Sequence, residues 1–540
     1  MKTIETDVLV IGSGTAGLSA ATYAAQDNKR VLILDKGALG WSGSSTGAVQ
    51  VAGLGSWSHE QDGPEPYLQD IYKSGRGLSS PVLAQTLVND IKTRLEDLID
   101  WGLKLDREGE QVTVSHTSGH SLPRSVSAKK GKTGLGLLHT LRKKVTKDDR
   151  VATWSDVMTV ELLKTHKRVY GALVLDLSDN TFYKIKSKAT ILATGGAGQL
   201  YPITSNPVQS TGDGYALALK AGASLIDFEQ VQFYPVSIME PKSIAGLCIS
   251  FYHYSKLFNK HGERFMKKYA PDTLEDATRD KLSIAIASET AEGRGPIWLD
   301  ATEVIDQVKK EFPHEYQLCK DRGVDLAIER AQVGPAAHFI MGGVRIDQDG
   351  QTDLDGLFAA GEVAGGLHGG NRLGNNALSE CLVFGARAGQ KAAAYSQNSN
   401  NISLEPLHLN LKGEHRPHEI KSEIQRVMSD YFGVIRTSEE LTTALSEINT
   451  IKHKLKDVHI SSIKPYSREI IDYIEATHMT LTAEAMTLSG IHRKESRGAH
   501  FNSDFLEQMS PAHHILVRLG NNQLKVLHKE VKSDESSRQN

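Results

Sequence analysis

The 540-residue sequence has only three cysteines, Cys248, Cys319 and Cys381, and they lie far apart in the chain. Because none of them forms a CxxC pair, the sequence gives no sign of a disulfide framework, a zinc site or an iron–sulfur cluster, and no metal is expected. The formal net charge of −3 gives no sign of a surface for nucleic acid. No run of about eighteen apolar residues occurs, so no transmembrane segment is expected.

The composition that remains is that of an ordinary soluble globular protein, with 39% hydrophobic and 24% charged residues. The length allows a large buried core divided among several domains. The opening residues, MKTIETDVLVIGSG, run directly into a glycine-rich loop. This pattern is typical of a buried strand rather than a signal peptide, so a cytoplasmic location is expected.

The first 35 residues have the pattern of one βαβ unit. Apolar runs at residues 7–11 and 30–34 predict two buried strands, and residues 16–25 predict the helix between them. Residues 12–17 read Gly-Ser-Gly-Thr-Ala-Gly and fit GxGxxG, in which the glycines permit a tight turn, a close approach of backbone N–H groups to a pyrophosphate, and close packing of helix on strand. An ordinary α/β turn is the alternative interpretation. The predicted dinucleotide contacts in this unit are Gly12, Gly14, Thr15, Ala16, Gly17, Asp35, whose carboxylate would accept ribose hydroxyls, and Lys36.

Three further glycine-rich segments fit a cofactor groove, although each is short. Residues 41–56 are too rich in Gly, Ser and Thr for a regular element and are interpreted either as flavin contacts or as a surface loop. Residues 193–196, Ala-Thr-Gly-Gly, follow a predicted strand at 186–192, and residues 361–363, Gly-Glu-Val, follow an apolar run. Ligands of open α/β sheets bind at such strand ends.

The later parts of the chain differ in character, which suggests several domains. Residues 437–440, Thr-Ser-Glu-Glu, predict a capping box at the start of a helix. The last eleven residues are polar and are expected to be disordered. The predicted divisions are a dinucleotide-binding domain in two parts (1–236 and 337–395), an inserted domain (237–336), a C-terminal helical domain (415–510) and a tail (511–540).

Seven collinear segments between residue 1 and about residue 505 resemble the flavoprotein subunits of succinate dehydrogenase and fumarate reductase, and L-aspartate oxidase. They are VIGSGTAGLSAA, ILATGGAGQLY, LFNKHGERFMKKYAPD, ATRDKLSIAIASETAEGRG, PAAHFIMGGVRID, GLFAAGEVAGGLHGGNRLGNNALSECLVFG and RKESRGAHFNSDF. The resemblance implies an α/β fold, in which a Rossmann-like FAD-binding domain carries an inserted α+β capping domain and is followed by a C-terminal helical domain.

The resemblance also implies roles for individual residues. Arg279 would be the proton donor or acceptor beside flavin N5, and His338 and Arg372 would hold a substrate carboxylate. Without the resemblance, a satisfied core histidine and a buried ion pair would be the simpler readings of His338 and Arg372. A family histidine that binds FAD covalently is replaced by Ser45, so the FAD is expected to be non-covalent. The remaining implied cofactor contacts are Ser44, Ser45, Thr46, Thr194, Gly195, Gly196, Asp213, Glu362, Asn376, Ala377 and Leu378.

The chain departs from the family pattern in the capping segment. Tyr234 and Val236 stand where dicarboxylate enzymes of the family have His and Thr. A gap-free count places residues 247–254 opposite a family motif whose Glu and Arg relay protons to the catalytic arginine, and both are lost. Several aromatic side chains are expected to line this end of the site instead: Tyr234, Phe251, Tyr252 and Tyr254, with His253 among them.

The expected activity is therefore hydride transfer between FAD and a small organic acid that carries a carboxylate, with Arg279 handling the proton. We favour an acid with one carboxylate and a larger apolar end. One alternative is a fumarate reductase, succinate dehydrogenase subunit or L-aspartate oxidase with an unusual distal pocket. Another is a non-catalytic flavoprotein subunit of an electron-transfer complex. Because the sequence has no cluster motif of its own, a separate iron–sulfur or other electron-transfer subunit is a possible partner and would allow a peripheral location at the membrane.

Overall fold

The computed structural model describes residues 2–117, 119–165, 167–395, 412–461 and 464–531. The disorder expected for residues 530–540 therefore falls almost wholly outside the described residues. The first FAD-binding segment contains strands β1 Lys2–Ile11, β2 Val31–Leu34, β3 Val51–Ala52, β4 Arg107–Glu108, β5 Gln111–Val112, β6 Val114–Ser115, β7 Ser125–Val126, β8 Val151–Trp154, β9 Val157–Thr165, β10 Arg168–Asp176, β11 Thr181–Leu192 and β12 Ser224–Ile226. Its helices are α1 Thr15–Gln26, α2 Pro64–Gly75, α3 Pro81–Asp100, α4 Thr133–Thr146 and α5 Asp213–Ala221.

The remaining elements follow in three groups. The capping region contains β13 Val231–Ile238, β14 Lys256–Phe258, α6 Met266–Tyr269, α7 Arg279–Ala291, β15 Ile297–Asp300, α8 Ile305–Glu311, α9 Pro313–Asp321 and β16 Ala331–Ile340. The chain then returns with β17 Gly343–Arg345, β18 Leu357–Ala359, β19 Ala364–Gly365 and α10 Asn376–Ala394. The last group is α11 Pro417–Tyr431, β20 Ile435–Arg436, α12 Ser438–Lys454, α13 Arg468–His492, β21 Phe501–Asn502, β22 His513–Gly520 and β23 Gln523–Glu530.

A seven-stranded sheet forms the frame of the FAD-binding domain. Its order is β8, β2, β1, β11, β10, β9, and β18 pairs with the end of β11. The strands β1, β2, β8, β11 and β18 are parallel. The carboxyl-terminal ends of β1 and β11 and the whole of β2 and β18 are buried, as the apolar runs predict, whereas β8 at the sheet edge is partly exposed. The carboxyl ends of β1, β11 and β18 therefore meet at one edge, and each of these strands leads into one of the predicted glycine turns.

Helices α1 and α10 pack closely beneath that edge because glycines of α10 lie at the contact between them. A Cβ on Gly389 would collide with the carbonyl oxygen of Ala20, and a Cβ on Gly385 would lie 2.6 Å from the carbonyl oxygen of Ala16. Larger residues at these two positions would force the helices apart. The close packing brings the N-termini of both helices to the same edge of the sheet.

The capping region is built on a four-stranded antiparallel sheet with the order β13, β16, β15, β14. The expected domain boundaries at 236/237 and 336/337 fall inside β13 and β16. These two strands pair with each other and run from one domain into the other. The two regions are therefore joined by hydrogen-bonded strands at the point where the predicted substrate residues lie.

The C-terminal region confirms the predicted helix start and corrects the predicted tail. Thr437 and Glu440 form a complete capping box at the start of α12. However, residues 513–530, which were assigned to a tail, form the antiparallel hairpin of β22 and β23, and β22 pairs with β12 of the FAD-binding domain. Polar and apolar residues alternate along this hairpin. The side chains of Ile515 and Val517, on its apolar face, are buried in the interior.

A buried charge cluster holds the end of α13 against the FAD-binding domain. The guanidinium of Arg493 donates to Asp227 Oδ1 at 2.9 Å, to Glu229 Oε1 at 2.5 Å and to Glu495 Oε1 at 2.8 Å. All four side chains are almost completely buried. Breaking such a cluster by removal of one partner is strongly destabilising, because it leaves an uncompensated charge in the interior.

Candidate active site and cofactor groove

The glycine loop joins β1 to α1. Gly12 has a φ of +104°, and a Cβ there would collide with the carbonyl oxygen of Ala193. A Cβ on Gly17 would collide with the carbonyl oxygen of Gly12. Gly14 differs, because the nearest atom to a Cβ at that position is Ser45 Oγ at 3.7 Å. The fold therefore requires Gly12 and Gly17, whereas Gly14 keeps open the space in front of the N-terminus of α1.

Two buried hydroxyls in this groove have no partner in the described part of the chain, namely Thr15 Oγ1 and Thr194 Oγ1. Nothing lies within 4 Å of a Cβ on Gly195, whereas a Cβ on Gly361 would lie 2.9 Å from the Ala16 side chain. Buried polar groups in native proteins are normally hydrogen-bonded, so these hydroxyls indicate a polar ligand. The open glycine turn, the orphaned hydroxyls and the helix N-terminus together fit the pyrophosphate of FAD.

The serine-rich segment after β2 lies directly against the glycine loop. Ser44, Ser45 and Thr46 belong to a short 3-10 turn, and β3 follows, so residues 41–56 are more regular than the composition suggested. The backbone N–H of Thr15 donates to Ser45 Oγ at 3.3 Å, and Thr46 Oγ1 donates to the carbonyl of Gly43 at 3.0 Å. The segment therefore borders the groove as predicted, with a serine where covalent attachment would need a histidine.

Asp35 connects the glycine loop to the turn after β2. Its carboxylate accepts the backbone N–H of Ser13 at 2.9 Å, the Ser13 hydroxyl, the N–H of Gly37 at 2.8 Å and the Ser42 hydroxyl at 2.6 Å. Four protein donors thus already use both oxygens. A ribose contact of Asp35 stays a prediction, and the ribose would have to share these oxygens with the protein.

Lys36 and Asp213 lie together, although they are far apart in sequence. Lys36 Nζ donates to Asp213 Oδ2 at 2.7 Å, to Thr211 Oγ1 at 2.8 Å and to Glu475 Oε1 at 3.0 Å. His478 lies 3.0 Å from the other oxygen of Asp213. Burial raises the pKa of Asp213, but Lys36 and His478 outweigh it and hold that pKa below its ordinary value. No local signal in the sequence pointed to Glu475 or His478, both of which come from α13.

The second and third glycine turns meet at Glu362. A Cβ on Gly196 would collide with the Glu362 carboxylate, so a larger residue there would have to displace this side chain. Glu362 Oε1 accepts the backbone N–H of Ile340 at 3.0 Å. Burial raises the pKa of Glu362 to about 7, although this hydrogen bond and the charge of Arg372 oppose the rise. Glu362 therefore titrates near neutral pH inside the groove.

The start of α10 is fixed by a set of polar contacts. Asn375 has a φ of +64° and is the N-cap, and Asn376, Ala377 and Leu378 form the first turn, as predicted. Asn376 Oδ1 accepts the Tyr67 hydroxyl at 2.9 Å. The side-chain amide of Asn375 donates to Gln50 Oε1, Thr117 Oγ1 and Ser125 Oγ. These anchors aim the positive end of the helix at the same edge of the sheet as the glycine turns.

The three predicted substrate residues come together where the capping and FAD-binding domains meet. Arg279 begins α7, His338 lies in β16, and Arg372 precedes α10. Burial, followed by the charges of Arg372 and Arg279, holds the pKa of His338 well below its ordinary value, so the imidazole is neutral at pH 7. Burial and then Arg279 lower the pKa of Arg372 to about 9, which leaves its guanidinium charged at pH 7.

Gln232 holds Arg372 in place. Its Oε1 accepts from Arg372 Nη2 at 2.9 Å, and its Nε2 donates to the Arg372 carbonyl at 3.0 Å. The ring of Phe339 lies 4.4 Å from the guanidinium carbon. Arg372 Nε is buried without a partner, and within the described chain neither Arg279 nor Arg372 forms an ion pair with a carboxylate. Two cationic groups in one buried site, one with an unused donor, fit an anionic ligand.

His338 is oriented by a serine that sequence reasoning missed. Ser205 Oγ lies 2.7 Å from His338 Nδ1, and Cys248 Sγ lies 3.9 Å from the same nitrogen. When the Ser205 hydroxyl donates to Nδ1, the proton of the neutral imidazole lies on Nε2, which can then donate to a ligand. Ser205 and His338 are separated by 133 residues, so only the fold reveals the pair.

The aromatic lining is smaller than the sequence suggested. The Tyr234 ring lies 4.7 Å from the guanidinium carbon of Arg279 and 5.2 Å from the ring of His338, and Tyr252 packs edge-on against it at 6.0 Å. Phe251 is fully buried against another ring inside the capping domain, and Tyr254 is 38% exposed. Within the described chain, Phe251 and Tyr254 make no ring contact with Arg279, His338 or Arg372, because the 3-10 turn at residues 252–254 directs them to other sides.

No helix among the described residues is long and apolar enough to cross a membrane. In the same residues, no group of three or more His, Cys, Asp or Glu side chains is arranged to hold a metal ion.

Comparisons with known proteins decide the family. The profile of the FAD binding domain matches residues 7–378, and the profile of the fumarate reductase flavoprotein C-terminus matches residues 421–537. The chain belongs to the fumarate reductase and succinate dehydrogenase flavoprotein family. The predicted family, the predicted fold class and the predicted FAD cofactor are thereby confirmed, and the chain is an FAD-dependent oxidoreductase.

Relatives of this flavoprotein cover nearly the whole chain. A subunit of the fumarate reductase (CoM/CoB) of Methanothermobacter marburgensis is 36% identical over 93% of this chain and 95% of its own length. L-aspartate oxidase of Yersinia pestis is 32% identical over 93% of this chain and 96% of its own. The structure of a mutated quinol fumarate reductase FrdA of E. coli superposes with a TM-score of 0.92 at 28% identity, covering 99% of this chain and 98% of that one.

Gly14→Val is expected to abolish FAD retention while the protein still folds. The new side chain would fill the space before α1 but would not meet the protein backbone. Flavin content is measured in the supernatant after acid precipitation, where wild-type protein should release all of its FAD because Ser45 cannot form a histidyl bond. Normal flavin in Gly14→Val would refute the groove assignment, and flavin that stays on the precipitated wild-type chain would refute non-covalent binding.

Glu362→Gln should flatten the pH dependence of stability of the apoprotein. Because the pKa of Glu362 is raised from 4.5 to about 7, wild-type stability should fall as pH rises through this window, by about 3 kcal/mol. The amide cannot ionise, so the variant lacks this loss. Denaturant unfolding at pH 5 and pH 8 gives the pH-dependent change in the free energy of unfolding of each protein. When the change in the variant is subtracted from that in the wild type, the contributions of the other titrating groups cancel. An equal change in the free energy of unfolding between pH 5 and pH 8 in both proteins would contradict a raised pKa of Glu362.

Proposed function

We propose that this flavoprotein oxidises or reduces a bond next to the carboxylate of a small organic acid. The observation that carries the proposal is the convergence of Arg279, Arg372 and neutral His338 on one site in which, within the described chain, no carboxylate forms an ion pair with either arginine. An anionic ligand supplies the missing charge. Position beside the cofactor groove supports a redox role rather than simple anion storage.

The residues divide the work between binding and proton transfer. Arg372, held by Gln232, and His338, held by Ser205, are placed to grip the carboxylate, since a guanidinium can donate two parallel hydrogen bonds and the imidazole one more. Arg279 is placed to give or take the proton. Bound FAD supplies the hydride donor or acceptor. Arg279 is the first residue of α7, so the capping domain brings this group to the ligand.

The opposite end of the site supports an acid with a single carboxylate. The Tyr234 hydroxyl donates to the carbonyl of Ile249 at 3.3 Å, so it is not free to bind a second carboxylate. Val236 lies in the apolar core of the capping domain, and Leu247 packs against that core. A buried carboxylate without hydrogen bonds or a counter-charge is very costly. We therefore propose an apolar or aromatic group at this end of the substrate.

A dicarboxylate such as fumarate or L-aspartate is the second candidate. The names of the relatives favour it, and so do two guanidiniums that together can neutralise two negative charges. The Methanothermobacter relative is named as one subunit of its enzyme, which also supports a separate electron-transfer partner for this chain. We propose that the chain works on the cytoplasmic side, where such a partner can hold it at a membrane.

The proposal predicts a difference in kcat/KM between two groups of acids. With an artificial electron donor or acceptor, monocarboxylates such as crotonate, butyrate and 3-phenylpropionate should exceed fumarate, succinate and L-aspartate by at least about tenfold, which corresponds to about 1.4 kcal/mol. Arg372→Ala is the control and should remove binding of both groups while FAD stays bound. Efficient fumarate reduction or aspartate oxidation would overturn the single-carboxylate assignment and favour the second candidate.

Arg279→Lys tests the proton role separately. The variant keeps one positive charge, but an ammonium on a shorter reach cannot reproduce the guanidinium fork. Flavin content and KM should stay near their wild-type values, and kcat should fall by about two orders of magnitude or more. A variant that turns over at the wild-type rate would exclude proton transfer by Arg279.

A further inference from the structure

We propose that Tyr234 is the positioning residue for Arg279, and that its ring rather than its hydroxyl does this work. The inference rests on the proposed function, because it gives the proton-transferring arginine its support. In the family, this position carries a histidine that holds substrate. In this chain it carries a ring that lies 4.7 Å from the guanidinium carbon of Arg279.

The surroundings of Tyr234 leave the ring face as its working surface. The side chain is 6% exposed, and burial raises the pKa of its phenol well above its ordinary value, so the phenol is neutral. The hydroxyl donates to the Ile249 carbonyl, which directs it toward the capping domain and away from a ligand. Tyr252 packs edge-on against the ring and fixes its tilt.

Two tyrosines of the described chain support Arg279: the ring of Tyr234 lies against its guanidinium, and Tyr252 forms a side-chain hydrogen bond with it. Arg279 begins α7, and no carboxylate of the described chain pairs with it, in contrast to neighbouring Asp280, which pairs with Arg76 at 3.5 Å. A guanidinium over a tyrosine ring is attracted by the ring quadrupole and stacks on its face. The contact orients the guanidinium without neutralising its charge. A carboxylate in the same place would orient Arg279 too, but would compete with the anionic substrate.

The same ring also touches the substrate-binding side of the site. Tyr234 lies 5.2 Å from the ring of His338, in an edge-on arrangement. One residue therefore spans the proton donor and the carboxylate clamp and sets the distance between them.

The test measures the reactivity of Arg279 toward phenylglyoxal in the holoprotein, residue by residue, by peptide mass mapping. Tyr234→Leu, which removes the ring, should speed modification of Arg279 by about tenfold. Tyr234→Phe, which keeps the ring, should restore the slow wild-type rate. Arg372 in the same samples is an internal control and should react equally in all of them, because Gln232 and Phe339 hold it. An unchanged Arg279 rate in Tyr234→Leu would overturn the proposal.

Turnover separates this inference from the proposed function. On the best acid of the panel, Tyr234→Leu should lower kcat at least tenfold and change KM little, because the carboxylate clamp remains. Phe251→Leu, which removes a buried ring of the capping core away from the site, should leave kcat unchanged. A faster reaction of Arg279 with phenylglyoxal but a wild-type kcat would keep Tyr234 as the support and refute the proton role of Arg279. A lowered kcat in Phe251→Leu as well would refute a specific role of Tyr234 in turnover.

Discussion

Two neighbouring guanidinium groups, that of buried Arg372 and that of partly exposed Arg279, form no ion pair with a carboxylate of the described chain and set the conditions for the rest of this site. Their mutual repulsion contributes to the lowered pKa of Arg372 and of the neighbouring imidazole. The protein tolerates the arrangement by giving each cation neutral partners: an amide and a phenyl ring for Arg372, and a phenol ring for Arg279. Neutral partners orient a cation and leave its charge unused. A site of this kind favours the anion-bound state over the empty one.

Such a site needs a rigid frame, since its parts come from distant segments. The seven-stranded sheet brings the glycine turns to one edge, and α10 begins beside them under the hold of Asn375. Strands β13 and β16 carry Gln232 and His338 from one domain into the other. Buried ion pairs of Arg493 and Lys36 then fix the C-terminal region to this frame. These buried charged groups therefore lie at domain junctions, where they fix the position of one domain relative to the next.

Local signals allowed the cofactor half of the site to be predicted. A glycine at φ +104°, a helix N-cap and a capping box each depend on a few adjacent residues, so the sequence states them directly. The hydrogen bond of Gln232 to Arg372 spans 140 residues, and that of Lys36 to Glu475 spans 439. No local sequence pattern predicts partners that are so far apart in the chain. The hairpin at residues 513–530 was missed for a similar reason, because its pairing strand β12 lies almost 300 residues earlier.

Residue type alone also did not predict the direction in which a side chain points. Tyr234 was correctly placed at the site, but the sequence could not show that its hydroxyl turns to the Ile249 carbonyl and presents the ring face instead. Asp35 was correctly placed at the end of β2, but four protein donors already occupy its carboxylate. In both cases backbone groups nearby compete for the polar atom, and that competition is decided only when the loop has folded.

The charge of the site bears on how a substrate with one carboxylate is activated. Hydride addition next to a carboxylate moves a second negative charge onto the acid as the bond forms. Arg372 and Arg279 together provide two positive charges, and neutral His338 adds a hydrogen bond without a third. On the proposed function, a monoanion therefore leaves one charge unmatched in the ground state and matches both in the transition state. That difference is what catalysis requires, because only interactions that strengthen toward the transition state accelerate the chemical step. A dianion would match both charges before the reaction begins.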